Sequence, residues 1–390
     1  MISVDQALTH LFELAPRMGT ECVPLDRANG RVLARDVTAQ RDQPPFAASA
    51  MDGYAVQSGD VRSGQQLSVI GESAAGHRYR GVVQSGQALR IFTGAPVPQG
   101  TDFVVIQEDV TRDGDIITLG DAIGSSTNIR AQGADFDANM VVSAPRRLGP
   151  KELALLAAMN VATVEVSVNP TVAFISTGDE LVYPGQSPND DQIIASNPFG
   201  LAAMVTDIGA RARILPIAAD RMDALLTAFD LAAGADVIVT IGGASVGDHD
   251  LVAKALQECG ASQSFYKVAM RPGKPLMAGK LGSAAMVGLP GNPVSSMVCG
   301  KIFLEPMLRY MMGFDAGPLP RMTAPLAHDI PDNGPREHYM RAQLDNGQIT
   351  LADRQDSALL SVLGSANALV VRPPHAPAMR AGQLAEYISF

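Results

Sequence analysis

The sequence predicts a protein of several domains, in which a parallel-sheet α/β domain is combined with β domains, and three observations support this fold class. The chain has 390 residues, which exceeds the size of an ordinary single core. Between residues 171 and 312, short apolar runs alternate with glycine-containing loops and helical stretches, the pattern of a parallel sheet covered on both faces. The flanking regions 22–134 and 320–390 carry short β-like runs separated by turn residues.

The N-terminal half contains two predicted helices and one clear strand. The segment 3–17 is predicted as a helix because Ser3 and Gln6 fit a capping box and apolar residues follow at helical spacing. A second helix is predicted at 150–159, since it begins with proline, which suits the first helical position. Alternation of apolar and polar residues predicts a half-buried strand at 162–168.

The strands of the predicted sheet end at loops that should meet. The predicted strands are 172–175, 214–217, 237–241 and 284–289. The predicted helices begin at Asn197, at 221 with Asp220 as the N-cap, and at Pro293. Ligands of such sheets bind beyond the carboxyl ends of the strands, so we expect these loops to gather at one edge. In the last 70 residues, Asn346-Gly347 predicts a hairpin within a small β-barrel or sandwich.

Composition and charge exclude several classes of protein. The formal net charge is −10, with no Trp and only 5% aromatic residues, so a nucleic-acid-binding surface is not expected. Cys22, Cys259 and Cys299 stand far apart, which predicts neither a zinc site nor a disulfide framework and fits a reducing compartment. We expect no signal peptide and no membrane span, because the sequence offers no apolar segment suited to either. These observations predict a cytoplasmic protein.

The loop 242–250 follows a predicted buried strand and is the first candidate site. Gly242 and Gly243 allow the backbone to approach a ligand closely, and their N–H groups, with that of Ser245, can bind an anion at a helix start. A tight turn without a ligand is the alternative. Two carboxylates in the same loop, one of them Asp250, favour a site with a cation between them and a phosphate.

The stretch 267–275 is the second candidate site. It carries Lys267, Arg271 and Lys274 beside a rigid Pro-Gly-Lys-Pro turn, and such cations can grip phosphate oxygens. Solvated loop cations are the alternative, but the prolines on both sides restrict where Lys274 points.

The segment 288–296 is the third candidate. Pro293 suits the first turn of a helix and Ser295 lies within that turn, so with Pro290 and Asn292 the segment predicts an anion-binding helix start. A plain strand-to-helix turn is the alternative.

The end of the first predicted strand of the sheet is the fourth candidate. There, Gly178, Asp179 and Glu180 add carboxylates to the same edge. The alternative is an acidic first turn of a helix, which is a common stabilising choice.

Three short motifs outside the predicted sheet are not explained by propensity. They contain Asp52, Thr93 and Asp135, and each could be a simple turn. Taken together, the acidic groups, the anion loops and the basic turn are what Mg²⁺-assisted chemistry on a phosphoanhydride requires. The residues alone do not identify the substrate.

Six blocks of sequence carry a resemblance to a known family. The blocks are Pro44-Pro45-Phe46 leading to Ser49-Ala50-Met51-Asp52-Gly53-Tyr54-Ala55-Val56, Thr93-Gly94-Ala95-Pro96, Thr177-Gly178-Asp179-Glu180-Leu181, Gly242-Gly243-Ala244-Ser245-Val246-Gly247, the segment 267–275 and the segment 288–293. In this order and over the full length, the chain resembles the molybdopterin molybdenumtransferase family, which includes the bacterial MoeA proteins and the E domain of gephyrin.

The resemblance implies a fold of four parts. They are a helical linker domain (1–22, 42–47 and 135–169), an inserted β domain (23–41 and 48–134), an α/β molybdopterin-binding domain (170–319) and a C-terminal β-barrel domain (320–390). It also implies a homodimer whose active cleft lies between the α/β domain of one subunit and the linker and β domains of the other.

The resemblance further implies the reaction and its residues. Molybdate would be inserted into adenylyl-molybdopterin with Mg²⁺, and AMP would leave. The matching catalytic positions are Asp52, Thr93, Asp135, Glu180, Asp220 and Asp250, of which Asp52, Glu180 and Asp250 would bind the metal. The matching cofactor-binding positions are Gly178, Asp179, Gly242, Gly243, Ser245, Lys267, Arg271, Lys274, Pro290, Asn292, Pro293, Ser295, Arg336, Arg341 and Ser357. Transient contact with a molybdopterin adenylyltransferase is implied, and neither nucleic acid nor a membrane is expected as a partner.

Some positions depart from the family pattern, and three rival functions stay open. Ala48, Ala134, Ala244 and Asp356 stand where the family often has Asn, Glu, Val and Gly, and Ala134 lacks a carboxylate. A molybdopterin adenylyltransferase would resemble only 170–319 and would lack the blocks at Asp52 and Thr93. The second rival is a scaffold protein, and the third is an inactive paralogue that only binds the pterin.

Overall fold

The computed structural model describes residues 1–243 and 251–390. Within them the chain divides into two compact units. The larger unit contains Met1–Glu21, Gly30–Ala34 and Glu165–Phe390, and the smaller unit contains Cys22–Asn29 and Arg35–Val164. The finer division into four domains stays a prediction.

The helices of the described residues are α1 Val4–Leu14, α2 Pro150–Ala158, α3 Asn197–Asp207, α4 Met222–Leu231, α5 Leu251–Glu258, α6 Pro293–Cys299, α7 Glu305–Met311 and α8 Leu360–Gly364. A π-helical turn, Gly300–Leu304, joins α6 to α7. Short 3₁₀ turns occur at Leu25–Arg27, Ser58–Asp60 and Gln107–Asp109. No helix in the described ranges is long and apolar enough to cross a membrane.

The strands up to residue 167 are β1 Thr20–Pro24, β2 Val32–Leu33, β3 Val37–Thr38, β4 Ala48–Ser49, β5 Gly53–Val56, β6 Gln66–Ser73, β7 Gln87–Ile91, β8 Phe103–Ile106, β9 Val110–Asp113, β10 Ile116–Leu119, β11 Ile129–Arg130, β12 Val141–Val142, β13 Arg146–Arg147 and β14 Thr163–Ser167. The later strands are β15 Thr171–Ser176, β16 Leu181–Val182, β17 Ile193–Ile194, β18 Arg211–Ile214, β19 Val237–Ile241, β20 Ser262–Tyr266, β21 Met270–Arg271, β22 Met277–Leu281, β23 Ala284–Leu289, β24 Met322–Pro325, β25 Glu337–Asp345, β26 Gln348–Leu351, β27 Ala368–Arg372 and β28 Leu384–Ser389.

The larger unit is built on a six-stranded sheet in the order β18-β15-β19-β23-β22-β20. The first four strands are parallel, as predicted. The last two are antiparallel to their neighbours, which the sequence analysis did not foresee. Only Gly282 and Ser283 separate β22 from β23, and a link of two residues makes a hairpin, whereas parallel strands need a crossover of a dozen residues or more.

Helices cover both faces of this sheet, in agreement with the predicted layering. On one face, apolar residues of α1, α3, α6 and α7 pack against Phe174 and Val239. On the other face, residues of α4 and α5 pack against Ile175 and Ile238. The central strands β15, β19 and β23 are therefore buried on both sides, which explains their continuous apolar sequences. The loops at the strand ends are the part of this sheet that stays accessible.

The C-terminal strands form the predicted small barrel. β25 pairs with β26 and β27, β27 pairs with β28, and β28 pairs with β24. A backbone bridge from Leu326 to Ile349 joins the end of β24 to β26 and closes the ring. The predicted hairpin is also confirmed, since Asp345 pairs with Gln348 across the Asn346-Gly347 turn.

The predicted cap of α1 is confirmed but its end is wrong. Ser3 and Gln6 form the reciprocal capping box. The helix stops at Leu14 rather than at residue 17, and Ala15 is extended with ψ 122°. Pro16 explains this end, because proline excludes the helical conformation from the residue before it.

Two predictions near α4 are also wrong. The strand expected at 214–217 lies at Arg211–Ile214, and Pro216, which has no N–H to donate to a ladder, follows it. The residue before α4 is Arg221 rather than Asp220, and its side chain makes no capping hydrogen bond. Asp220 instead lies beside two other carboxylates, as described below.

The smaller unit is mostly strands and loops up to residue 134, as predicted. Its main sheet has the order β8-β5-β7-β6-β10-β9. β5 occupies an interior position and pairs antiparallel with β7 and β8, so Gly53 lies opposite Ile91 on one side and Ile106 on the other. This pairing brings the residues just before β5 next to those just after β7.

Candidate functional site

A cavity of about 1020 Å³ lies at the carboxyl ends of β15, β19 and β23. Ten of the residues predicted from sequence line it: Gly178, Glu180, Asp220, Gly242, Gly243, Lys267, Lys274, Pro290, Asn292 and Pro293. The expectation that the loops meet at one edge of the sheet is therefore confirmed. The parallel strands all end on this side, which is why residues more than a hundred positions apart share one cavity.

The glycine pair after β19 allows the backbone to enter this cavity. Gly242 and Gly243 both have positive φ, 91° and 64°. A Cβ atom on Gly242 would lie 2.9 Å from the carbonyl oxygen of Thr177, and one on Gly243 would collide with the side chain of Val252. Side chains are thus excluded here by conformation and by space. Ser245 and Asp250, predicted from the same loop, lie outside the described residues.

Three carboxylates gather at the end of β15. The Asp220 N–H donates to Asp179 Oδ1 at 3.0 Å, and Glu180 and Asp220 both line the cavity. Although Asp220 as a residue is exposed, its carboxyl is partly desolvated, and this effect, followed by the charges of Asp179 and Glu180, raises its pKa. The three carboxylates therefore concentrate negative charge at this place, and a bound cation would reduce the repulsion between them.

The basic turn after β20 directs two lysines to the cavity. Lys267 has a positive φ of 71°, and its Nζ lies 4.9 Å from the centre of the Tyr266 ring. The Lys274 carbonyl accepts from the N–H groups of Val268 and Leu276 at 3.0 Å each. Backbone bonds therefore hold the turn while the lysine side chains line the cavity. Within the described residues, no salt bridge involves either lysine.

The loop before α6 is held by side-chain amides. The Asn197 amide donates to the Gly291 carbonyl at 2.7 Å, and the Asn292 amide donates to Ser357 Oγ at 3.1 Å. Ser357 therefore contacts a residue that lines the cavity, and its predicted role in cofactor binding stays a prediction. Ser295, in contrast, is buried and is not among the lining residues. Its predicted contact with phosphate stays a prediction.

A cluster of basic residues adjoins the barrel, and we call it the basic cluster. It consists of His338 and the four arginines whose charges act on its ionisation, Arg271, Arg336, Arg341 and Arg372. Strand alternation places His338 and Arg372 on one face of β25 and Arg341 on the other. Of these, Arg341 and Arg372 are 0% and 2% exposed, and in each the Nε and Nη1 atoms have no hydrogen-bond partner. Buried guanidinium groups are normally paired. These unpaired donors mark a place where an anion would be stabilised.

The link from the basic cluster to the cavity rim runs through 355–357. Arg341 Nη2 donates to the Asp356 carbonyl at 3.0 Å, and the next residue, Ser357, accepts from Asn292. Asp356 Oδ1 accepts from the Ala358 N–H at 2.8 Å. The departure from the family pattern at Asp356 therefore supplies a local turn bond.

In the smaller unit, Asp52 and Thr93 form a tight pair. Asp52 Oδ1 accepts from both the N–H and the hydroxyl of Thr93, each at 2.7 Å. These two bonds, and more weakly the charge of Arg90, lower the pKa of the exposed Asp52 carboxyl. The side chain is thus held ionised in one orientation, which suits a group that binds a cation or orients a substrate.

The close pairing of β5 with β8 explains why residue 53 is glycine, which secondary-structure propensity did not explain. A Cβ atom on Gly53 would collide with the carbonyl oxygen of Val105 on β8, so the sheet requires glycine at this position whether or not a site is present. Ala48, a departure from the family pattern, is buried and pairs with Arg130. Asp135 is exposed, and its N–H donates to the Gln43 carbonyl at 2.9 Å. Neighbouring Ala134 is exposed as well.

Four contributors to these sites were missed by sequence reasoning. Asn197 was predicted only as a helix start, Thr177 only as part of a motif, and His338 and Arg372 were not singled out. The Asn-Pro pair at the start of α3 was a usable signal for Asn197. No sequence signal pointed to His338 and Arg372, because they become neighbours only through strand pairing.

Three family descriptions match the chain in order. They are the MoeA N-terminal region (domain I and II) over residues 2–160, the probable molybdopterin binding domain over 173–310, and the MoeA C-terminal region (domain IV) over 323–390.

Similar proteins include two called molybdopterin molybdenumtransferase and one called molybdopterin molybdenumtransferase 2. The protein from Nostoc sp. is 36% identical over 88% of this chain and 82% of its own. That from Haemophilus influenzae is 36% identical over 80% and 78%. The third, from Mycobacterium tuberculosis, is 35% identical over 92% of each chain. A molybdopterin biosynthesis MoeA crystal structure from Pyrococcus horikoshii has a TM-score of 0.83 at 27% identity and covers 100% of both chains.

Proposed function

This chain belongs to the molybdopterin molybdenumtransferase (MoeA) family and is a transferase of molybdenum cofactor biosynthesis, and we propose that it inserts molybdate into adenylyl-molybdopterin with Mg²⁺ and releases AMP. The observation that carries this proposal is the cavity at the sheet edge. It combines the Gly242-Gly243 loop, carboxylates of Glu180 and Asp220, and the ammonium groups of Lys267 and Lys274. A phosphoanhydride needs all three kinds of group.

The lysines and the glycine loop would bind the phosphate end of the pterin. An ammonium group offers charge-assisted hydrogen bonds to phosphate oxygens, and the N–H groups of a glycine loop can approach the same oxygens closely. The cavity volume of about 1020 Å³ is at the upper end of the range usual for small-molecule sites, which suits a ligand that carries both a pterin and a nucleotide. The rim residues Asn292 and Ser357, which are bonded to each other, would limit where the ligand lies.

The carboxylates fit a Mg²⁺ ion. The pKa of Asp220 is raised by desolvation and by Asp179 and Glu180, and a divalent cation beside it would offset this repulsion. The described residues contain no group of three or more His, Cys, Asp or Glu side chains arranged to hold a metal by themselves. This suits Mg²⁺, which usually takes one or two carboxylates together with water and substrate phosphates. When bound, Mg²⁺ would neutralise charge that develops on the phosphoanhydride oxygens.

The basic cluster would bind molybdate, which is a tetrahedral dianion. Arg341 is fully buried and has two unpartnered nitrogen atoms, and burial, followed by the charge of Arg271, lowers the Arg341 pKa. An oxyanion would supply the missing acceptors and offset the repulsion between the arginines. Ser357, which is hydrogen-bonded to Asn292 at the cavity rim, would connect the molybdate position at Arg341 to the pterin.

The proposal extends to assembly and cellular context. The Asp52–Thr93 pair belongs to the smaller unit and the cavity to the larger one, and we propose a homodimer in which each active cleft takes residues from both subunits. A molybdopterin adenylyltransferase would hand over the substrate. The three free cysteines support a reducing, cytoplasmic location.

One assay tests the proposed reaction. Purified protein would be incubated with adenylyl-molybdopterin and molybdate, with Mg²⁺ or with a chelator, and the released AMP would be quantified. We expect AMP only with Mg²⁺, and a strong loss of AMP in Asp220→Asn. The matched control is Asp223→Asn, since Asp223 is an exposed carboxylate bonded to Arg221 outside the cavity. AMP release no faster than in a mixture without protein would overturn the proposal.

A further inference from the structure

Thr177 has a buried hydroxyl group at the edge of the cavity. The residue follows β15 directly, lines the cavity and is 4% exposed. Its Oγ1 atom is buried and has no hydrogen-bond partner among the described residues. Buried polar atoms are normally hydrogen-bonded, so this one calls for a physical explanation.

The backbone of Thr177 is fixed from both sides. Its N–H donates to the Ile241 carbonyl at 3.1 Å, and the N–H of the next residue, Gly178, donates to the Ala218 carbonyl at 3.2 Å. Thr177 also forms a parallel bridge with Ala218. Because the side chain is branched at Cβ, it has few rotamers to choose from. The position of the hydroxyl is therefore set by the sheet and not by a hydrogen bond of its own.

The hydroxyl lies against the glycine loop that the proposed function assigns to phosphate. A Cβ atom on Gly242 would lie 3.3 Å from Thr177 Oγ1, and one on Gly243 would lie 3.2 Å from it. The Gly242 N–H already donates to the Leu289 carbonyl at 3.1 Å. Since that N–H is occupied, the Thr177 hydroxyl is the donor that this part of the cavity can offer to a ligand.

Thr240 shows that an unpaired hydroxyl does not by itself make a site. Its Oγ1 is likewise buried without a partner in the part of the chain that the structure describes, and the residue is 0% exposed. Thr240 lies within β19, between Ile175 of β15 and Gly288 of β23, and is not among the residues that line the cavity. The two threonines thus differ in one respect, which is that Thr177 borders the space where a ligand would lie.

We propose that Thr177 is a further binding residue, whose hydroxyl donates a hydrogen bond to a phosphate oxygen held at the glycine loop. This inference rests on the proposed function, which places the phosphate end of the pterin there; the nucleotide is a second source of the same chemistry. An ionised phosphate oxygen supplies the acceptor that the hydroxyl lacks, and the bond is charge-assisted. The unpaired hydroxyl destabilises the free protein, and ligand binding removes this destabilisation.

Loss of the hydroxyl should affect stability and binding in opposite directions. Thr177→Val replaces the hydroxyl by a methyl group, so the free protein should be as stable as wild type or more stable. The same change removes the donor to the ligand, so binding should weaken about tenfold. A purely structural role of Thr177 would instead lower the unfolding midpoint of the free protein and leave ligand affinity unchanged.

Calorimetric titrations of the full-length protein with molybdopterin and, separately, with AMP test this assignment. Thr177→Ser keeps the hydroxyl and should bind like wild type, whereas Thr177→Val should bind about tenfold more weakly. Thr240→Val is the matched control, and its affinity for both ligands should equal that of wild type. Thermal unfolding without ligand gives the stability of each variant. Weaker binding of molybdopterin would place the pterin phosphate at the hydroxyl, and weaker binding of AMP would place the nucleotide phosphate there.

The outcomes separate this inference from the proposed function. If Thr177→Val binds both ligands as tightly as wild type, the role of the hydroxyl is overturned and the function of the cavity stands. If wild type binds neither ligand, both are overturned. If Thr177→Val does not fold or unfolds earlier than wild type, Thr177→Ala and Thr177→Ser decide, because they differ only in the hydroxyl oxygen. Equal affinities of these two variants would then refute the assignment.

Discussion

Replacement of Lys274 by alanine is the most direct test of the phosphate-binding role of the cavity. The Lys274 carbonyl holds the turn by accepting from Val268 and Leu276, and the substitution leaves these bonds in place. The side chain is exposed and lines the cavity. We therefore expect the fold to survive and only a ligand contact to be lost.

The size of the effect follows from this environment. A hydrogen bond to a charged group contributes about 1.5–3 kcal/mol, and solvent screening of an exposed ammonium places the effect near the lower limit. A loss of about 1.5 kcal/mol corresponds to roughly tenfold weaker binding. Lys267 lines the same cavity and retains part of the attraction, so binding should weaken rather than disappear.

The assay is calorimetric titration with molybdopterin at low salt and at high salt. Lys274→Ala should bind about tenfold more weakly at low salt, and the difference from wild type should narrow as salt screens the charge. Lys280→Ala is the matched control, because Lys280 is an exposed lysine on β22 that does not line the cavity. Equal affinities of Lys274→Ala and wild type at low salt would show that Lys274 is only a solvated surface charge.

Four further substitutions test other parts of the structure. Asp52→Asn should keep the fold but strongly reduce AMP release. Mixing Asp52→Asn chains with Glu180→Gln chains should restore activity, because mixed dimers would contain one intact cleft. Mixtures that have exchanged subunits and stay as inactive as either variant alone would contradict a shared cleft. Gly53→Ala should lower the free energy of unfolding by about 3 kcal/mol or more, because its Cβ would meet the backbone of Val105, and an unchanged denaturant midpoint would refute this. Arg341→Met should weaken molybdate binding. Because the buried guanidinium has unpartnered nitrogens, the free energy of unfolding should stay unchanged or rise by about 1–4 kcal/mol. A lower unfolding midpoint in calorimetry would argue that the residue is structural.

Local signals in the sequence were sufficient for most individual elements. The capping box at Ser3 and Gln6, the strands Val237–Ile241 and Ala284–Leu289, and the Asn346-Gly347 hairpin all occur where they were predicted. Each depends on interactions among residues close in sequence, or on a periodicity that directly reflects burial. The strand-end loops could also be assigned to one edge, because parallel strands all end on the same side of their sheet.

What the sequence determined by itself was thus the elements, the sheet edge and the chemical types of residue that meet there. Tertiary structure alone decided the antiparallel pairing of β20 with β22, the hydrogen bonds between Asp52 and Thr93, and the position of Asp220 beside Asp179 rather than at a helix cap. It also decided the meeting of His338 and Arg372, which are separated by 33 intervening residues and become neighbours through strand register. The physical reason is that desolvation and charge repulsion depend on every group within a few ångströms, and strand pairing, rather than sequence distance, selects those groups.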